Sequence, residues 1–265
     1  MIPSNDISVV CPTYNSAAYV LATLRTVAEQ IVLPAELIVS DDGSTDGTPE
    51  IVESFFASCT GLSTRLIRNK HVGPGAARNA GLKVATRNWV AFLDADDLWF
   101  PGKLKAVAVA SQAHPACNLF CHSEQRILLD GSIQVLDYGK SFNGSKPLGA
   151  QLFWNNIFST SAVVCDRRVL QQYGYFDEFL MSGQDYELWL RLAPNLQVHF
   201  IREICGSYVD RPGNITSGKL EQRTKNIVLI KHRHRDKATL LLYCLTMGKL
   251  AASYLKAKFK RSIFI

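Results

Sequence analysis

A chain of 265 residues with 47% hydrophobic and 20% charged residues has the makeup of a folded soluble protein, built as one large domain or as one domain with an appendage. The opening MIPSNDISVV holds neither a basic segment nor an apolar core of signal-peptide length, which argues against export and for a cytoplasmic protein. Seven scattered cysteines, several in apolar runs, point to reduced and buried thiols, and Cys117 and Cys121 lack the second Cys/His pair that a zinc site needs.

The net charge of +6 is unevenly placed. From Lys219 onward, twelve Lys and Arg residues stand against Glu221 and Asp236, so the tail carries +10 and the rest of the chain −4. A mildly acidic body bears a basic tail.

Residues 7–11 (ISVVC) are apolar and β-branched and read as a buried first strand, broken at Pro12, Thr13, Tyr14 and Asn15. Asn15 or Ser16 is placed to cap a helix reaching about residue 30. Residues 36–40 (ELIVS) read as a second strand, after which Asp46 or Thr48 caps a helix to about residue 57. Residues 64–68 form a weaker third strand, and a helix over about 76–85 leads into residues 89–93 (WVAFL). That last run is apolar without a break, as a strand buried on both faces reads. Strands alternating with helices predict a parallel, doubly wound α/β sheet.

Beyond Trp99, Pro101 opens a helix to about residue 113. Residues 118–121 read as a strand and 125–138 as a hairpin turning at Asp130 and Gly131. A strand over 158–165, helices over 167–173 and 184–192, and short strands over 198–201 and 204–209 complete the body. From Lys219 the pattern is helical, and no internal repeat interrupts the chain.

The chemistry concentrates where strands end. Ligands of open α/β sheets bind beyond the carboxyl ends of the strands, and Pro12 to Asn15, Asp41 with Asp42, and Asp94, Asp96 and Asp97 all fall there. Three carboxylates after one buried strand repel one another unless a cation or hydrogen bonds offset them, and a hard divalent ion suits oxygen ligands. Taken alone each group has a plainer reading: Asp97 as a helix cap, Asp41 and Asp42 as an Asx turn, Tyr14 as loop packing, Arg78 as a surface arginine. Asp185 sits in the first turn of a helix, whose dipole favours its ionised form. Glu187 on the same helix points about 200° away, so the two are not one acid pair. Neither a G-x-G-x-x-G fingerprint nor a P-loop occurs, which weakens dinucleotide and P-loop readings.

Five segments occur together in order: Pro12 to Asn15, Asp42 to Asp46, Gly75 to Gly81 (GAARNAG), Asp94 to Asp97 (DADD) and Gly183 to Tyr186 (GQDY). In this the chain resembles the family 2 glycosyltransferases over about residues 7–216. The resemblance implies the GT-A fold, which is α/β and Rossmann-like with a mostly parallel central sheet, plus a C-terminal helical extension. It implies a catalytic domain over 1–217, with a nucleotide-sugar half to about 97 and an acceptor half over 98–217, and a basic amphipathic tail over 218–265.

The same resemblance assigns roles. Asp42 reads the base, with Pro12, Thr13 and Tyr14 lining its pocket. Asp96 is the metal ligand for Mn2+ or Mg2+, with Asp94 second or nearer the ribose, and Arg78 is a basic donor-site residue. Asp185 is the general base, and Gln184 and Trp189 contact the acceptor. Two departures stand out: Gln184-Asp185 where relatives often carry Glu-Asp, and Tyr208-Val209-Asp210-Arg211 where many carry a histidine at the last position.

The implied function is an inverting transfer of a sugar from a nucleotide donor, UDP-linked by preference, to a hydroxyl of a glycan or polyprenyl-linked acceptor. A metal-dependent sugar nucleotidyltransferase and a non-catalytic nucleotide-sugar-binding module are the alternatives. Between Lys237 and Lys249 lie eleven uncharged residues, too few for the roughly 20 of a membrane span. Leu240, Cys244, Met247, Ala251, Tyr254 and Leu255 fit one helical face. The tail is expected to lie on an anionic membrane surface; packing on the domain or a homo-oligomer contact is the alternative, and nucleic-acid binding has no recognised module behind it.

Overall fold

The computed structural model describes residues 2, 6–211 and 220–263, with side chains through residue 258. The expected domain boundary near 217 and Lys219 lie outside the described residues, as do the side chains of Lys260 and Arg261.

The alternation of the sequence becomes β1 (Ile7–Thr13), α1 (Val20–Ala28), β2 (Glu36–Asp41), α2 (Thr48–Ser58), β3 (Ser63–Arg68), α3 (Pro74–Val84) and β4 (Trp89–Phe92). Then follow β5 (Leu98–Trp99), α4 (Lys103–Ala113), β6 (Leu119–Ile127), β7 (Ile133–Leu136), α5 (Leu148–Trp154) and β8 (Val163–Asp166). The order closes with α6 (Arg167–Tyr173), α7 (Gln184–Leu192), β9 (Val198–Val209), α8 (Leu220–Arg233) and α9 (Leu240–Ile263). One sheet runs β3-β2-β1-β4-β8-β6-β9-β5, with β7 paired to β6. Its first four strands are parallel, whereas β8 is antiparallel to both β4 and β6. The carboxyl ends of β1, β2 and β4 therefore open on one edge.

Period-two alternation sorts the strand residues into two cores. Val10, Ile38, Val90 and Phe92 face one way and bury against Leu82 of α3, Phe153 of α5 and Leu188 of α7. Val9, Cys11, Leu37, Val39 and Ala91 face the other and bury against Leu24 of α1, Val52 of α2 and Leu104 of α4. With both faces covered, an apolar run without polar interruption is what β4 requires.

Four expectations change. The first helix begins at Val20, because Asn15 adopts φ 46° and its side-chain oxygen accepts from Thr45 N–H at 2.9 Å, bridging two loops instead of capping. The two strands expected over 198–209 are one, β9, with a bulge against β6 at His122 and Ser123. Of residues 158–165 only the last part is strand; Thr160–Ala162 is a 3-10 turn. The helix α9 packs through Leu242, Tyr243 and Thr246, with Tyr243 6.2 Å from the Phe153 ring, while Leu240 is 80% and Leu255 64% exposed. Four successive apolar residues at 240–243 let periodicity select no face; the surface of α5 selects it.

At Gly81, α3 crosses β1 so closely that a Cβ there would lie 2.6 Å from Val10 Cγ1. Gly81→Ala is expected to cost about 1–3 kcal/mol by overpacking, read by urea unfolding. The loss should shrink in a Val10→Ala background, because the two methyl groups compete for one space. Equal losses in both backgrounds would contradict the contact.

Candidate active site

The loops after β1, β2 and β3 converge first. Asp41 is consumed by its own turn, accepting from Gly43 N–H, Ser44 N–H and the Ser44 hydroxyl, and from the Thr13 hydroxyl at 2.9 Å. Its neighbour Asp42, also buried, turns the other way and accepts from Val72 N–H and Gly73 N–H, each at 2.9 Å. His71 Nδ1 lies 3.1 Å from the same carboxylate, and its ring stacks on Tyr14 at 4.2 Å and 17°. Tyr14 remains 47% exposed, so a planar aromatic surface stands beside a fixed carboxylate. Half-buried Pro12 continues β1 into this corner, paired in register with Ser40. His71 has no signal in the sequence beyond its place just after β3.

The acids after β4 are separated by their partners. Arg78, buried on α3, places Nη2 2.5 Å from Asp94 Oδ1 and its guanidinium 5.5 Å from the Phe176 ring. Asp94 N–H donates to Ser161 Oγ at 3.1 Å, and the Ser161 hydroxyl donates to Asp97 Oδ2 at 2.5 Å. Trp99 Nε1 and the fully buried Lys103 Nζ both donate to the Ser161 carbonyl, at 2.9 and 2.8 Å. Ser161 thus clips the acidic loop to the sheet. Asp97 caps no helix, because β5 follows it directly; burial first, then Asp94, Glu124 and Asp96, push its carboxyl well above the usual range.

Asp96, like Asp94, is half-buried. Burial and the Asp94 charge push its carboxyl up, against the pull of Arg211. Arg211 Nη1 donates to the Asp96 carbonyl at 2.6 Å, lies 3.7 Å from its Oδ2 and sits 4.0 Å over the Tyr19 ring. The position that departs from the histidine of relatives is therefore a cation against the acidic loop.

Beside these residues, Gly183 takes φ 74° and starts α7, so Asp185 sits in its first turn with Asn156 Nδ2 donating to Oδ2 at 3.4 Å. Burial raises the Asp185 carboxyl above its ordinary value, and the Arg78 charge draws it back. A cleft of about 460 Å³ joins Arg78, Asp94, Asn156 and Asp185 on one wall to α8 and α9 on the other. Gln184 lines this cleft, buried and with Oε1 lacking a partner among the described residues. Glu187 turns away, pairing with Arg191 on the same helix and with His234 just beyond α8.

Trp189 is a correction. It is fully buried between the Phe92 and Phe158 rings and does not line the cleft, so it supports α7 from the core and touches no acceptor. Asp185 and Trp189 share a helix face, but one turn, about 5.4 Å, carries that face from the cleft into the core.

A model of the family described as Glycosyl transferase family 2 matches residues 8–172. The chain belongs to this family. Among curated relatives, the Escherichia coli protein named UDP-Glc:alpha-D-GlcNAc-diphosphoundecaprenol beta-1,3-glucosyltransferase WfgD is 28% identical over 219 residues, which cover 82% of this chain and 81% of that one. Among solved structures, residues 1–349 of S. aureus TarS in complex with UDP-GlcNAc superpose with a TM-score of 0.67 at 22% identity, covering 88% of this chain and 69% of that one. The mannosyltransferase PcManGT from Pyrobaculum calidifontis, in complex with GDP-Man and Mn2+, gives a TM-score of 0.67 at 20% identity, covering 98% and 81%. These likenesses establish the fold as the GT-A arrangement, and family membership makes the chain a glycosyltransferase.

Ser161→Ala removes the hydroxyl that serves both Asp94 N–H and Asp97. It is expected to cost about 1–3 kcal/mol, as for a buried polar group left unpaired, read as a lower urea midpoint at unchanged slope. Stability equal to the parent's would show that the clip holds nothing.

Proposed function

We propose that the chain is an inverting transferase that moves one sugar from a nucleoside-diphosphate donor, UDP-linked by preference, to a hydroxyl of a lipid-linked glycan acceptor, with Asp185 as general base. The observation that carries it is the single cleft in which Asp185 faces Asp94 and Arg78 at the carboxyl edge of the sheet. The donor base stacks on Tyr14, and the Asp42 side chain, held rigid by backbone N–H groups, receives hydrogen bonds from it. UDP as the nucleotide is supported by the donor named for the E. coli relative and by the TarS complex. The acceptor class is supported by the diphosphoundecaprenol in the former name.

The acidic loop fits a divalent cation. Asp94 and Asp96 present hard oxygen ligands; burial first and then the Asp94 charge raise the Asp96 carboxyl, and a cation would relieve both. Among the described residues no group of three or more His, Cys, Asp or Glu side chains could hold a metal ion by itself, so the pair suits an ion shared with the donor's diphosphate. Asp96 would be its protein ligand, with Asp94 second, and Mn2+ or Mg2+ there would supply positive charge for the leaving diphosphate.

The residues of the chain do the rest. Asp185 accepts the proton of the attacking hydroxyl, Asn156 fixes its carboxylate, and Arg78 orients Asp94. One displacement from the face opposite the leaving group inverts the anomeric carbon. The nucleotidyltransferase reading wants a basic, Gly-rich loop after β1, whereas residues 13–16 are tied to Asp41, Ser44 and Thr48. Loss of activity in a binding module is at odds with acids at Asp42, Asp94, Asp96 and Asp185 all facing one edge.

Among the described residues no helix is long and apolar enough to cross a membrane. The outer side of α9 exposes Leu241 at 70% and Leu245 at 53% beside its basic residues, and we assign this side to an anionic membrane surface. Because α8 buries Ile230, the test is Leu241→Glu with Leu245→Glu and not truncation. The pair should abolish pelleting with phosphatidylglycerol vesicles; pelleting like the parent's would remove the assignment.

Asp185→Asn should lower transfer by about 10²–10⁴, the usual contribution of a general base, with donor affinity unchanged in calorimetry. Transfer at the parent's rate would end the base assignment. Asp185 works only when ionised and burial raises its carboxyl above the ordinary value near 3.8. Activity should therefore fall as pH drops through that raised value, and this acid limb should vanish in the residual activity of Asp185→Asn. Asp96→Ala should remove the Mn2+ dependence of donor binding.

A further inference from the structure

The wall opposite Asp185 is built by the basic tail. Arg223 and Lys231 from α8 and Lys249 from α9 line the same cleft, whose acids are Asp94 and Asp185. The lining as a whole carries four cations, Arg78, Arg223, Lys231 and Lys249, against those two acids, and Asp94 is already paired with Arg78. Lys231 is anchored: its Nζ donates to the Phe153 carbonyl and, at 3.1 Å, to the Tyr186 hydroxyl. An ammonium has three N–H donors, which leaves one for the cleft. Lys249 lies 4.7 Å over the Trp154 ring and makes no hydrogen bond among the described residues. Gln184 lines the same cleft, and its buried Oε1 lacks a donor among the described residues.

We propose that Arg223, Lys231 and Lys249 form a subsite for the phosphate or diphosphate group of the acceptor, which hangs the acceptor from α8 and α9 with its sugar hydroxyl at Asp185. The inference rests on the transferase reading and adds to it the part of the acceptor that the protein recognises. Two cations held in one cleft repel each other: burial, and then the Lys249 charge, depress Lys231 to about 8. A bound anion removes that repulsion and uses the remaining donors. Gln184 Oε1 then receives a hydroxyl of the same sugar. Trp154, Ile227 and Leu250 line the cleft beside the cations and give the first carbons of a lipid an apolar path.

Lys249 is exposed, so its replacement leaves the core intact. Binding is measured apart from turnover, by calorimetry with geranyl diphosphate and with geraniol, in saturating UDP and Mn2+ to fill the donor site. The parent should bind the diphosphate at least about tenfold more tightly than the alcohol, Lys249→Ala should lose most of that preference, and Lys249→Arg should keep it. No preference in the parent, or an unchanged one in Lys249→Ala, overturns the subsite whatever turnover shows. Binding of geranyl diphosphate that appears only when UDP is left out assigns the cations to the donor's diphosphate and also overturns it. In turnover, Lys249→Ala should raise KM for a glycosyl diphosphate lipid about tenfold with kcat nearly unchanged, and leave KM for the same sugar on a neutral alkyl chain unaffected. Equal effects on both acceptors would contradict the proposal. A parent that prefers the diphosphate yet transfers no sugar would end the transferase reading alone.

Discussion

Five acids gathered at one sheet edge repel one another, and the architecture around them is the means by which each is held. Asp42 is held by the backbone N–H groups of Val72 and Gly73, Asp94 by Arg78, and Asp97 by the Ser161 hydroxyl above the buried Lys103. The compensation is graded. Asp96 Oδ2 lies 3.7 Å from Arg211, and Asp185 accepts from the Asn156 amide at 3.4 Å. These two half-buried carboxylates, both raised by burial, are the ones left with unspent capacity for a cation and for a proton.

The division of labour was partly legible in the chain itself. An unbroken apolar run ending in DADD is a local pattern, and so is the strand–helix alternation that puts Asp42 and Asp94 at one edge. What stayed hidden are contacts between residues far apart. Ser161 reaches Asp97 from 64 positions away, and Lys103 is buried beneath the loop, so neither stands out by spacing. His71 follows the weakest strand, and only the fold sets it against Tyr14. Trp189, given to the acceptor by the family resemblance, is instead buried against Phe92 and Phe158, a contact between distant residues that the sequence does not display.

The basic tail shows how composition understates structure. Its charge excess was visible in counting, yet α8 and α9 lay that charge along the cleft because Ile230, Tyr243 and Thr246 pack on the domain. Glu187 reinforces the docking. Burial alone would raise its carboxyl, but hydrogen bonds from His234 and Arg191 outweigh this and hold it below its ordinary value. The helix α7, which carries Asp185, is thereby tied to the end of α8, which fixes the spacing between the proposed base and the proposed acceptor subsite.

Asp185, the proposed base, shares one cleft with Asp94 and Arg78, and the mechanism proposed for it is a single displacement. The stereochemistry of the product therefore tests the account most directly. With an α-linked nucleotide sugar as donor, proton NMR of the freshly formed glycoside should show the large anomeric coupling of a β-linked glucose-type sugar. A product that retains the α configuration would contradict Asp185 as a base for direct attack, and with it the arrangement derived for the cleft.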